Sequence, residues 1–138
     1  PVDWTDRGER LARVVAAEPA LDLDDEKVLV TARTLRVRRE DPAAFVGEGT
    51  TYTGLPCSSP HALAFARGDA DGLRVVTVAT VAAGTLAAGG GFGDAVVELP
   101  PGSWRDVLAD GDDVVTGGSV SLATLLAHRP VVLLVRHS

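Results

Sequence analysis

Methionine is absent from these 138 residues, cysteine occurs once, and aromatic side chains make up 4% of the chain. The lone Cys57 excludes an intrachain disulfide, so the fold must rest on buried apolar surface. Length permits that, because a chain of this size buries roughly 68–70% of the surface it exposes when unfolded. No apolar run approaches the roughly 20 residues that span a bilayer. No basic-then-apolar leader is present either. A membrane partner is therefore not expected, and the expected location is cytoplasmic. A basic surface is missing too. The net charge is −6, which disfavours nucleic acid as a partner. With Pro1 first and no methionine, the chain is expected to be cut or processed from a longer protein.

What is present is unevenly spread. Eight of the thirteen Lys and Arg residues fall in the first 41 positions, beside ten acids. A helix is predicted over 24–39, with Asp24, Asp25 and Glu26 in its first turn and Arg33, Arg36, Arg38 and Arg39 towards its end. Both placements complement the helix dipole, so the arginine cluster reads as helix chemistry rather than as an anion site. Val28, Ala32 and Leu35 make an apolar stripe along it. An earlier helix is predicted over 4–18, capped by Asp3 or Thr5, with Trp4, Leu11, Val14 and Val15 near one face. Pro19 biases Glu18 away from helix and ends it. Asp41-Pro42-Ala43-Ala44-Phe45 resembles one further turn, with proline at its first position.

Beyond Gly47 and Gly49 the periodicity becomes strand-like. Strands are expected over 50–55, 61–67, 73–81, 95–99, 103–108, 119–122 and 131–136, with 68–72 as a hairpin loop. The glycine-rich stretch 82–93 reads as loop, and a helical turn over 122–126 competes with the sixth strand. The organising element is the hairpin in which Pro100-Pro101-Gly102 stops one strand and Trp104 lies on the next. Asp110-Gly111 marks the following turn. About seven short strands without intervening helices predict a mainly β fold, an antiparallel β-sandwich preceded by two or three short α-helices. The expected division is a helical segment, 1–46, lying against a β domain, 47–138. Trp104 is expected beneath the sheet, beside 73–81 and 131–135.

No catalytic, cofactor-binding or metal-ligating residue is assigned. His61, His128 and His137 lack any metal-ligand spacing. Cys57 has no nearby histidine or cation to lower its pKa. Gly89-Gly90-Gly91-Phe92-Gly93 lacks the lysine and hydroxyl of a phosphate cradle and precedes a strand. The acid pairs Asp24-Asp25, Asp69 with Asp71, and Asp112-Asp113 sit at a helix start or in turns, where acids serve the backbone. Glycoside chemistry needs two carboxylates held across the scissile bond. No Gly-x-Ser-x-Gly elbow is present. Sugar binding needs exposed aromatic platforms, for which Trp4, Tyr52, Phe92 and Trp104 qualify besides Phe45 and Phe65. A free-standing carbohydrate-binding β module, with Trp104 or Tyr52 at the contact, is the alternative reading.

Several stretches carry a family resemblance in chain order. They are Pro1-Val2-Asp3-Trp4, Lys27-Val28-Leu29-Val30-Thr31 with Leu35-Arg36-Val37-Arg38-Arg39, and His61-Ala62-Leu63-Ala64-Phe65-Ala66-Arg67-Gly68. Two more are Leu99-Pro100-Pro101-Gly102-Ser103-Trp104-Arg105-Asp106-Val107-Leu108, and Leu125-Leu126 with Pro130-Val131-Val132-Leu133-Leu134-Val135-Arg136. Together they resemble the C-terminal end of the malto-oligosyltrehalose synthases, in the α-amylase superfamily, from the point where the chain leaves the catalytic barrel. The resemblance implies an amylase-type C-terminal β-sandwich that stabilises the barrel, its partner in cis. It implies a parent isomerase, an intramolecular transglucosidase acting on malto-oligosaccharides. That enzyme converts the reducing-end α-1,4 linkage to α,α-1,1 trehalose and needs no cofactor. Its catalytic carboxylates belong to the barrel, so this fragment is implied to be silent by itself.

Overall fold

The capping residues of the first 42 positions produce two α-helices in the computed structural model, which describes residues 1–138: α1 over Trp4–Val15 and α2 over Leu23–Glu40. Asp3 and Asp22 are their N-caps, accepting from the backbone N–H of Asp6 at 3.0 Å and of Asp25 at 2.9 Å. The first helix stops short of position 18. Ala17 turns left-handed, φ 56°, and the N–H groups of Ala17 and Glu18 fold back onto the carbonyls of Val14 and Arg13, closing the end before Pro19 is reached. A short 3-10 turn over Pro42–Ala44 follows α2, as the proline spacing suggested. Two compact units result, Pro1–Pro42 and Ala43–Ser138.

The second unit contains six strands: β1 Thr51–Leu55, β2 Ala62–Asp69, β3 Gly72–Thr80, β4 Val96–Asp106, β5 Val114–Ser121 and β6 Val131–His137. All pairings are antiparallel, in the order β1-β2-β3-β6-β4-β5, so the last strand fills the place between β3 and β4. The sheet curls over on itself. Cys57, just past β1, bridges to Val97 in β4, and Ser58 N–H to Val96 O and Glu98 N–H to Pro56 O, each 2.9 Å, secure that seam. Both layers of the expected sandwich therefore belong to one sheet. Side-chain alternation lines up Ala66, Val76 and Leu134 in one row and Ala64, Val78 and Val132 in the next. Val97, Leu99, Trp104 and Leu122 complete the core against them.

Three expectations are corrected. The strands expected over 95–99 and 103–108 are one strand, β4, so six strands form rather than seven. Pro100-Pro101-Gly102 is not a hairpin turn but a bulge inside β4, where the ladder skips from Leu99 to Ser103. Proline lacks the N–H that a ladder needs, and a bulge is where a strand tolerates it. Opposite the bulge, a Cβ on Gly117 would lie 2.1 Å from the Pro100 carbonyl oxygen, so glycine admits the close approach. Gly117-Gly118 accordingly sits within β5, and the true hairpin turn is 107–113, containing Asp110-Gly111. Finally, 82–93 is not all loop, because its alanine-rich part forms α3, Ala83–Ala88. The ambiguity near 122–126 resolves as a helical turn, α4 over Leu122–Leu125, with Ser121 accepting from the Thr124 N–H.

Candidate functional site

Trp104 is wholly buried in the sheet core. A buried indole N–H needs an acceptor, and the bulge provides one: Trp104 Nε1 donates to Pro100 O at 2.9 Å. The Arg136 guanidinium lies 5.2 Å from the ring centre, while its Nη2 donates to Pro101 O at 2.9 Å and its Nε to Leu73 O at 3.2 Å. The Pro-Pro-Gly-Ser-Trp sequence thus has a local reason, since the bulge releases carbonyls that the tryptophan and arginine require. Asp106 closes the strand end by accepting from the N–H groups of Leu108 and Leu133 at 3.0 and 3.2 Å. Trp104 is a core residue and no platform for a sugar.

The helical unit has a polar centre of its own. Asp25 is 2% exposed, and its Oδ1 accepts from Arg10 Nη1 and Arg13 Nη2, both at 2.7 Å, while Oδ2 accepts from Leu21 N–H at 2.9 Å. That backbone N–H, then the two guanidiniums, hold the Asp25 carboxyl below the usual carboxylate range against the opposing effect of desolvation. Arg10 also reaches Asp6 and Asp22 at 2.8 and 2.7 Å, which lowers the Asp22 carboxyl as well and raises the arginine. Sequence reading missed this clasp. Its signal was the Asp6, Arg10 and Arg13 spacing on one face of α1.

The other candidates do not converge. Asp24 is half-buried and meets Lys27 at 3.3 Å. Asp69 accepts from Asp71 N–H and pairs with Arg74 at 2.8 Å. Asp112, fully exposed, lies 3.7 Å from Arg105. His61 Nδ1 is 3.2 Å from Val81 O, and His128 and His137 are exposed elsewhere. Burial pushes the Cys57 thiol up, away from a reactive thiolate. No group of three or more His, Cys, Asp or Glu side chains is arranged to hold a metal ion, and no helix is long and apolar enough to cross a membrane. Gly89-Gly90-Gly91-Phe92-Gly93 follows α3, and Phe92 packs against the sheet core.

One aromatic group does assemble on the surface. Tyr52 of β1 stands directly across from Arg67 of β2, and Gly54 across from Phe65. The Tyr52 and Phe65 rings stack with centres 5.1 Å apart and planes 28° apart. The Arg67 guanidinium sits 5.4 Å from the tyrosine ring centre and 5.9 Å from the phenylalanine. Tyr52 remains 59% exposed. Tyr52 and Phe65 stood out singly in the sequence, whereas Arg67 did not. Period-two alternation along β2 puts Phe65 and Arg67 on one face, but only the register with β1 brings Tyr52 to them.

Comparison with known proteins adds the wider setting. No protein-family model matches the chain. Two Mycobacterium tuberculosis proteins named maltooligosyl trehalose synthase, from strains CDC 1551 / Oshkosh and ATCC 25618 / H37Rv, are 37% identical over 116 residues. Those residues are 83% of this chain, which spans only 14% of those relatives' length. The solved structure of maltooligosyltrehalose synthase from Arthrobacter ramosus, alone and as a point mutant, superposes with a TM-score of 0.81 at 33% identity. It covers 99% of this chain and 17% of its own.

Proposed function

We propose, for a chain that belongs to the maltooligosyl trehalose synthase family, that it is the C-terminal part of such an enzyme and takes no chemical step itself. The whole protein is then an intramolecular transglucosidase that turns the reducing-end α-1,4 linkage of a malto-oligosaccharide into the α,α-1,1 linkage of trehalose. Its catalytic carboxylates lie on a barrel joined in cis to the residues described above. The observation that carries this reading is the asymmetry of coverage: most of this chain is matched, and most of each relative lies outside the match. The chain's own acids support it. Asp25 is engaged by Arg10 and Arg13, Asp69 by Arg74 and the Asp71 N–H, and Asp24 by Lys27.

The part this piece plays is structural. Trp4, Leu11, Val15 and Leu35 of the helical pair are exposed, and a groove of about 350 Å³ is lined by Leu11, Val28, Ala32 and Leu35 with Arg7, Lys27 and Thr31. Covering one side chain of that size is worth roughly 1.5–3 kcal/mol, so an apolar surface of the barrel docked there stabilises both partners. Incubating the 138-residue chain with maltopentaose tests the reading. No trehalose-ended product is expected, and formation of one contradicts it.

A further inference from the structure

We infer that the outward face of β1 and β2 around Tyr52 is a binding subsite for an α-1,4-glucan chain, a ligand class that rests on the functional reading above. A single exposed aromatic needs no explanation. Here four features coincide. Tyr52 is 59% exposed, and Phe65, stacked on it, fixes the plane of its ring. Arg67 is held beside both rings, and its guanidinium makes no hydrogen bond or ion pair within the protein. A Cβ on Gly54 would meet nothing within 4 Å, so the floor next to the stack is open. Leu63, two residues before Phe65 on the same strand face, is exposed too.

A glucose ring in such a chain offers an apolar face of C–H groups and a rim of hydroxyls. Tyr52 supplies a flat apolar surface whose conformation is already set, so little side-chain freedom is lost on binding. Arg67 supplies up to five N–H donors and no acceptor, which suits hydroxyl oxygens at the rim. The chemistry favours a neutral glucan over an anion. One guanidinium stands on a unit whose formal charge is about −4, and the neighbouring Thr51 and Thr53 add no cation.

The experiment is a titration of the isotope-labelled 138-residue chain followed by amide NMR, with maltoheptaose in one arm and inorganic phosphate in the other. Wild type, Tyr52→Ala, Tyr52→Phe and Arg67→Gln are compared, and each is melted as a control for folding. Maltoheptaose is expected to shift Tyr52, Gly54, Phe65 and Arg67 saturably. Tyr52→Ala should weaken binding at least about tenfold, a loss near 1.4 kcal/mol. Tyr52→Phe should retain most of it, and Arg67→Gln should lose several-fold. If the stack serves only the sheet, the variants melt lower while maltoheptaose leaves wild type unshifted, and the proposal falls. Saturable shifts elsewhere, or at this patch with phosphate alone, overturn it equally. A silent titration leaves the family reading standing, whereas trehalose-ended product from maltopentaose removes that reading without touching this subsite.

Discussion

Trp104 in the β unit and Asp25 in the helical unit are both almost wholly buried, and the company they keep differs. Around Trp104 lie nine other buried apolar residues, and its one polar atom is satisfied by a carbonyl four residues back. Asp25 is surrounded by two arginines and a backbone N–H, while α1 buries no residue at all and leaves Trp4, Leu11 and Val15 outside. One unit carries its hydrophobic stabilisation internally. The other is fastened by charge-assisted hydrogen bonds and turns apolar side chains outward. Of the two tryptophans, one lies at the centre of the sheet core and the other stands exposed at the start of α1.

The strongest way to break that contrast is Trp104→Ala. Truncating a buried tryptophan costs about 3–5 kcal/mol, out of the roughly 5–15 kcal/mol that holds a domain folded. Thermal unfolding should show the sheet largely lost, and a variant melting within a degree or two of wild type would refute the core assignment. Gly117→Ala comes next. Its new methyl meets the Pro100 carbonyl in the bulge, and forcing the two strands apart should cost about 1–3 kcal/mol, read as a lower midpoint with an unchanged slope.

Smaller and confined to the other unit is Asp25→Asn, which leaves Arg10 and Arg13 facing a neutral group. Helical signal should melt earlier while the β signal keeps its midpoint. Acid should have the same selective effect. The Asp22 and Asp25 carboxyls lie below their unfolded values in the folded chain, so their contribution is complete above an unfolded pKa near about 3.9. It declines as the pH falls below that value and is gone once the lowered folded pKa is passed. Far-ultraviolet spectra across that range should lose helix before sheet.

Much of this architecture is legible from the residues. Charges at the ends of α2 fix its span to within one residue, 24–39 expected and Leu23–Glu40 found. The hairpin between β2 and β3 follows from Gly68-Asp69-Ala70-Asp71-Gly72, but the expected loop 68–72 shrinks to Ala70 and Asp71, because Gly68 and Asp69 stay in β2 and Gly72 opens β3. A Cβ on Gly68 would lie 2.0 Å from the Gly72 oxygen. What local pattern cannot supply is which partner a strand chooses. Pro100-Pro101-Gly102 has every property of a turn, and it becomes a bulge because β5 pairs with β4 both before it, Leu99 with Gly118, and after it, Ser103 with Thr116. The Tyr52, Phe65 and Arg67 cluster was hidden for the same reason, being a product of register. Alanine-rich α3 was obscured by the glycines around it.

Native-state hydrogen exchange on the 138-residue chain tests the central contrast most directly, because it reads each amide's protection separately. The account predicts that amides of β2, β3 and β6 exchange only on global unfolding, while those of α1 exchange orders of magnitude faster. Amides of α1 protected as strongly as those of β3 would contradict it, for the helical pair would then need nothing further to cover its apolar face.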